Sequence, residues 1–250
     1  MTLLSINYKI TSRNGVQYLS LQELEYPCIR HFFTTKNSNG RNSIPFDNNE
    51  IFVTGKQVHG DNILIIDKPA DNINTFIKDS KKRPCDAIIT DQMNIGIGVV
   101  TADCLPVLLY DPVQSVISAV HVGWRGTINE ILSKAVDQMV SIFSCREENI
   151  IAGMGPAIGS CCYTVGEVVI EALMNANPDW EKYLTHLENG KAKLNLSALN
   201  IRQIEDAGIP AKNIFSIGLC TACNKDLFYS YRRDGIGTGR MISGIMMSNE

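Results

Sequence analysis

Between residues 95 and 122 the chain places three short, β-branched apolar segments almost end to end, 95–101, 107–110 and 116–122. Each is bounded by turn residues, and each is apolar on successive positions instead of alternating ones. That pattern belongs to strands covered on both faces. Strands of this kind need layers above and below them, and the flanking sequence supplies candidates. Thr127 offers an N-cap, followed by Ile128, Ile131, Leu132, Ala135, Met139 and Ile142 at helical spacing. Segments 165–175 and 197–207 also read as helices, the second closed by Gly208 and Pro210. Segment 149–154 reads as a strand, and strands are expected near 214–217, 227–231 and 241–247. The expected fold class is a layered α/β protein with mixed sheets.

Length and composition bound the organisation. A chain of 250 residues with 44% hydrophobic and 20% charged residues is ample for a buried core and leaves no room for disorder or a coiled coil. Two polar runs, KNSNGRNSIPFDNN (36–49) and DSKKRP (79–84), read as loops and not as linkers, so a single domain over 1–250 is expected. A formal net charge of −3 gives no electrostatic footprint for nucleic acid or an anionic membrane. The apolar stretch 95–109 is broken by Gly96, Gly98, Thr101, Asp103 and Pro106, which is unlike a membrane span. The opening MTLLSINYKITSRNGV lacks the basic and apolar regions of a secretory signal, so a cytoplasmic protein with reduced thiols is expected.

Three potential metal ligands sit in Gly-containing loops at the ends of expected elements: His59 in GKQVHG, Cys104 in TADCLP and His121 in AVHVGWRG. Their wide separation allows convergence only through the fold. Cys104 and His121 follow or end the segments 95–101 and 116–122, which are expected to be neighbours in one sheet. A Cys-His-His set would leave one tetrahedral zinc position open, as catalytic zinc does. Separate core residues, a copper site or thiol catalysis with Cys104 as nucleophile and His121 as base use the same residues. A multicopper oxidase also needs a trinuclear cluster, and only His31 and His186 remain to build one. The CTAC pair, Cys220 and Cys223, lacks a second pair at metal spacing, and the adjacent Cys161 and Cys162 are poorly arranged to chelate one ion together. Buried thiols are expected there, a structural zinc being the alternative.

GMGPAIGS (153–160) could present backbone N–H groups to an anion. Arg125, between Gly123 and Gly126 and at the expected start of a helix, is a candidate phosphate binder. Lys56, Gln57 and Arg233 are candidate substrate-binding residues, and Arg232 a further cation. Asp103 and Glu167 are the carboxylates considered for acid–base work.

Taken in order, KQVHG, CDAIITD, TADCLPVLLYD, AVHVGWRGT, GMGPAIGSCCYTVG, LCTAC and FYSYRRDGIGTGR resemble the family labelled multicopper polyphenol oxidase or laccase-domain proteins, also called YfiH-like, over about 55–247. Upstream, HFFTTK carries Lys36 where that family usually has Arg, NSNGRNS replaces a Gly-rich loop, and the stretch before KQVHG is shortened. The resemblance implies a mixed α/β sandwich likened to the catalytic domain of cytotoxic necrotizing factors. It implies a zinc ion on His59, Cys104 and His121. It further implies phosphorolysis of adenosine, inosine and methylthioadenosine, with adenosine deamination besides. For phosphorolysis, phosphate held by Arg125, with Lys56 or Arg233, would attack C1′ of the ribose. For deamination, metal-activated water would attack C6 of adenine while Asp103 or Glu167 moves protons. Some relatives are called peptidoglycan editing factors, which implies hydrolysis of a muropeptide precursor as a rival.

Overall fold

The computed structural model describes residues 8–37, 44–47, 50–67 and 82–249. Most of the polar run 36–49, including its NSNGRNS stretch apart from Asn37, and the start of the 79–84 loop lie outside them. Two six-stranded mixed sheets face one another. The first has the order β1 (Tyr8–Arg13), β2 (Val16–Leu21), β3 (Ile29–Thr34), β15 (Met241–Met247), β7 (Ile95–Thr101) and β4 (Ile51–Thr54), all antiparallel except the parallel β4–β7 pair. The second runs β14 (Ile214–Ser216), β10 (Ile151–Met154), β8 (Leu105–Asp111), β9 (Val116–Val122), β6 (Ala87–Thr90) and β5 (Ile63–Ile66), with parallel pairs at both edges. A small third sheet joins β11 (Thr164–Val165), β13 (Ala192–Leu194) and β12 (Leu184–His186).

The central strands are apolar throughout because both their faces are covered. On β8, Leu108 and Tyr110 point into the core between the sheets, while Leu105, Val107 and Leu109 point the other way. The same alternation divides β9, with Ile117 and Ala119 facing the first sheet and Val116, Val120 and Val122 facing away. The outer face of the second sheet is covered by helices, among them α1 (Trp124–Ile128), α2 (Ile131–Phe143), α3 (Glu167–Ala176) and α4 (Leu196–Asp206). The far face of the first sheet carries a smaller aromatic cluster, in which Phe32 and Phe46 meet edge to face at 5.1 Å. The order of layers is therefore helices, sheet, sheet and a thin aromatic cover.

Several sequence expectations are corrected. Segments 95–101 and 116–122 are strands, but they belong to opposite sheets; Cys104 reaches His121 through β8, whose Pro106 lies opposite His121 in the β8–β9 ladder. Thr127 is not an N-cap. It is buried inside α1, with its hydroxyl donating to the Gly123 carbonyl (3.1 Å), and α2 begins only after Glu130 breaks the helix at φ 54°. The 227–231 stretch is not a strand. Ser230 caps a short helix, α5 (Tyr231–Asp234), by accepting the Arg233 N–H at 3.2 Å.

One buried polar group on β3 ties fold stability to pH. His31 accepts the Leu21 N–H at Nε2 (2.9 Å), and burial brings its pKa from 6.5 down to about 4. The unfolded chain therefore binds a proton between these values that the folded chain does not. This contribution is full above pH 6.5 and lost as pH falls through about 4, amounting to about 3 kcal/mol below both values. Urea unfolding of His31→Gln, whose amide oxygen keeps the Leu21 contact, should show a flatter decline in stability from pH 6.5 to 4 than the native chain. Identical slopes would contradict the assignment.

Candidate metal centre

The β8–β9 hairpin sets two of the three candidate ligands at one end of the second sheet. Cys104 immediately precedes β8, and His121 lies near the end of β9. His59 arrives from the loop between β4 and β5. Its ring centroid lies 4.9 Å from that of His121, and one donor atom from each of His59, Cys104 and His121 lies within 4.8 Å of the others. His121 is buried, Cys104 half-buried and His59 exposed, so the group opens to solvent on one side. A side chain at Gly123 would place its Cβ 3.2 Å from the Cys104 sulfur and 3.3 Å from the His59 ring, so the backbone passes close beside the donors.

The residue that orders this arrangement is Asp86, which the sequence reading did not single out. Its carboxylate accepts the N–H groups of Val58 (3.1 Å), His59 (3.0 Å) and Gly60 (2.8 Å), and one oxygen lies 2.8 Å from His121 Nδ1. The Asp86 carbonyl also accepts the His121 N–H at 2.7 Å. One buried carboxylate thus fixes the His59 loop and leaves His121 Nε2 as the nitrogen free for a ligand role. The only sequence signal was the position of Asp86 at the mouth of a strand in CDAIITD.

The electrostatics follow from this chain of contacts. Burial pushes the Asp86 carboxyl up, but its hydrogen bonds from His121 and the loop N–H groups outweigh this and hold it below the usual range. Burial also pushes His121 down, and Asp86 and Cys104 outweigh that, raising it to about 9. Burial alone would raise Cys104; hydrogen bonds from His121 and His59 instead bring it down to about 6. A thiolate beside two imidazoles is a soft, tetrahedral-type donor set suited to zinc or copper. The residues could therefore hold a metal ion.

The group lines a cleft of about 570 Å³, within the size range of small-molecule sites. Gln57, Asp103, Tyr163, Tyr231, Arg232 and Arg240 also line it. The Gln57 amide is engaged on both sides by the Val100 backbone, donating at 2.8 Å and accepting at 2.7 Å. Asp103, at φ 91°, is buried and accepts the Thr221 hydroxyl and the Arg232 N–H, each at 2.6 Å. His59 at φ 60° is a second non-glycine residue in left-handed backbone at this site. Lys56, Arg125, Glu167 and Arg233 are not among the described residues lining the cleft. Arg125 is exposed and stacked on Trp124 at 4.3 Å. Glu167 is exposed at the start of α3, and Lys56 is exposed beside the His59 loop. Arg233 donates to the carbonyls of Thr221, Ala222 and Phe228. Arg232, whose guanidinium lies 5.3 Å over the Tyr163 ring, and Arg240 are the cleft cations.

The two remaining histidines stand apart from the donor group. His31 is buried on β3, and His186 is exposed and paired with Glu181 at 2.6 Å. No described helix is long and apolar enough to cross a membrane. The expectation of buried thiols also fails outside the cleft. Cys161, Cys162, Cys220 and Cys223 converge with their sulfurs within 4.8 Å of one another, and two of them are exposed.

Comparison with known proteins adds three kinds of likeness. A family described as "Multi-copper polyphenol oxidoreductase laccase" matches residues 35–248. Adenosine deaminase RL5, from an unknown prokaryotic organism, is 34% identical over 198 residues, covering 77% of this chain and 74% of that protein. A purine nucleoside phosphorylase of Bacteroides thetaiotaomicron is 34% identical over 209 residues, covering 83% and 76% respectively. The crystal structure of Bacillus licheniformis hypothetical protein YfiH superposes with a TM-score of 0.79 at 31% identity, over 94% of this chain and 99% of that one.

Asp86→Asn removes the charge and faces backbone N–H groups with an amide nitrogen, so the affinity of the His59–Cys104–His121 group for added Zn²⁺, read by chelator competition, should fall about 10- to 100-fold. An unchanged affinity would contradict the orienting role. In the metal-free protein, alkylation of Cys104 should rise as pH passes through about 6. His121→Ala should move that midpoint up toward the ordinary thiol value of about 8.5; an unmoved midpoint would show that His121 does not hold the thiolate.

Proposed function

We propose that this chain, which belongs to the family described as "Multi-copper polyphenol oxidoreductase laccase", is a purine nucleoside phosphorylase that uses zinc and also deaminates adenosine. The observation that carries the reading is the Cys-His-His donor group set in the wall of a nucleoside-sized cleft that also contains two guanidinium groups. Adenosine, inosine and methylthioadenosine are the proposed substrates, with phosphate as the second reactant of phosphorolysis.

His59, Cys104 and His121 would hold the metal, which supplies Lewis-acid polarisation when bound. The chain's own residues do the remaining work. Arg232 and Arg240 bring positive charge to the cleft for the phosphate, the role sequence reasoning gave to Arg125 with Lys56 or Arg233. The Tyr163 ring offers a flat, apolar surface on which a purine can lie. In phosphorolysis a phosphate oxygen forms a bond to C1′ as the glycosidic C–N bond breaks, and the departing purine takes up a proton. Asp103 is the carboxylate in the cleft lining, and we assign it the handling of that proton. Glu167, outside the lining, takes no role in this account. Gln57 acts as a positioning residue, holding the His59 loop to β7 through the Val100 backbone.

A second reading has one observation in its favour. Asp86, His121 and Cys104 form a carboxylate–imidazolium–thiolate series, the arrangement of a cysteine nucleophile. On that reading the substrate would be a peptidoglycan precursor, and turnover would survive metal removal. A copper-dependent phenol oxidase has no such support, since among the described residues neither His31 nor His186 joins a group of potential metal ligands.

The test is release of base from adenosine with and without phosphate, on protein of known metal content. Adenine release should require phosphate, stop on chelation and fall by at least about 100-fold in His121→Ala, the upper scale on which loss of groups supporting a metal site acts. Formation of inosine alone would overturn the phosphorylase assignment, and absence of turnover with zinc bound would overturn the nucleoside reading.

A further inference from the structure

The four cysteines outside the cleft come from two loops that leave one edge of the second sheet together. β10 and β14 are parallel neighbours, with Met154 opposite Ser216, and the chain beyond each continues side by side. Ala157 and Cys220 form an isolated bridge, and the Thr221 N–H donates to the Ala157 carbonyl at 3.0 Å. Cys161 and Cys162 follow on one loop, Cys220 and Cys223 on the other. The Cys223 sulfur lies 3.5 Å from that of Cys161 and 3.4 Å from that of Cys162, and all four sulfurs fall within 4.8 Å of one another.

These distances are close to those of a metal cage. A tetrahedral zinc with Zn–S bonds of about 2.3 Å has sulfur–sulfur edges of about 3.8 Å. Backbone donors converge on one of these sulfurs. The Gly159 N–H donates to the Cys220 sulfur at 3.2 Å, and the Cys223 N–H is a second donor to it. Burial pushes the Cys220 thiol up, and these N–H bonds outweigh it and hold it below the usual range. A Cβ at Gly159 would lie 3.2 Å from the Cys161 sulfur and 3.2 Å from Cys220 Cβ, so glycine leaves the space the sulfurs occupy. Arg233, donating to the Thr221 and Ala222 carbonyls, brings positive charge to the loop between Cys220 and Cys223. Core packing does not account for the cluster, because Cys161 and Cys223 are exposed while Cys85 and Cys145 fill the core.

We propose that Cys161, Cys162, Cys220 and Cys223 bind one zinc ion as a structural tetrathiolate site, separate from the Cys-His-His group. Binding forms four Zn–S bonds and releases the thiol protons to solvent, with no change in oxidation state. The ion joins the two loops behind the cleft wall. Thr221, between the two cysteines of one loop, donates to Asp103, and Tyr163, next to Cys162, lines the cleft. The site thus sets the position of two cleft residues without touching substrate.

The test is metal analysis of protein purified under reducing conditions, alongside a variant lacking the other site, His59→Ala/Cys104→Ala/His121→Ala. That variant should keep about one zinc per chain. Loaded with Co²⁺, it should show the strong thiolate-to-cobalt charge-transfer bands of an all-sulfur tetrahedral site. Adding Cys161→Ser and Cys223→Ser should abolish both, and should lower the melting temperature of the zinc-loaded protein. If the serine variant does not fold, the cobalt spectrum of the first variant carries the test. A folded first variant without zinc or cobalt bands, cobalt bands indifferent to the serine changes, or a disulfide among these cysteines in the reduced preparation would each overturn the proposal.

Discussion

The Asp86 carboxylate is a buried charge that the fold can accommodate only by surrounding it with donors. Three come from consecutive backbone N–H groups of the loop at 58–60 and the fourth is the His121 ring. An isolated carboxylate in such a place would cost several kcal/mol, so its partners must stay in position whenever the chain is folded. The cost is offset by geometry that serves the site. The loop cannot drift without stripping the carboxylate, and the imidazole cannot turn without losing its partner. His59 is held against the Cys104–His121 pair of the β8–β9 hairpin because that one anion is satisfied.

The same logic extends across the cleft. From Asp86 through His121 to Cys104 the charges alternate in sign, and each ionised form is stabilised by its neighbours against the effect of burial. Next to Cys104 in the chain, Asp103 repeats the device with a hydroxyl and a backbone N–H, joining the β7–β8 turn to the 219–224 loop and the start of α5. His59 and Asp103 both carry left-handed backbone, a local cost that these hydrogen bonds hold in place. The cleft is therefore framed by two carboxylates that hold loops, while the apolar sheets behind them supply rigidity.

What the sequence shows and what it hides separates along the same line. The strands at 95–101 and 116–122 and the strand at 241–247 were legible to the residue, because burial on both faces or one writes itself into local composition. His59, Cys104 and His121 stood out because scarce, reactive side chains sat in Gly-containing loops. Asp86 looked like any acid before a strand, since its partners are non-local backbone groups that no pattern records. The four-cysteine cluster was hidden for a related reason. Cys161 and Cys162 are separated from Cys220 and Cys223 by an intervening sheet and two helices, and only the parallel pairing of β10 with β14 brings them together. The aromatic 227–231 stretch misled in the opposite direction: its β-like composition lost to the Ser230 cap and to the bonds Arg233 makes with the surrounding carbonyls.

On the reading proposed above, His59, Cys104 and His121 together hold the metal at the cleft. X-ray absorption at the zinc edge, on protein in which Cys161→Ser and Cys223→Ser remove the second cluster, tests it most directly. A mixed shell is expected, with a single sulfur at about 2.3 Å and imidazole nitrogens at about 2.0 to 2.1 Å, the sulfur disappearing in Cys104→Ala. A shell without sulfur, or one unchanged by that substitution, would contradict it.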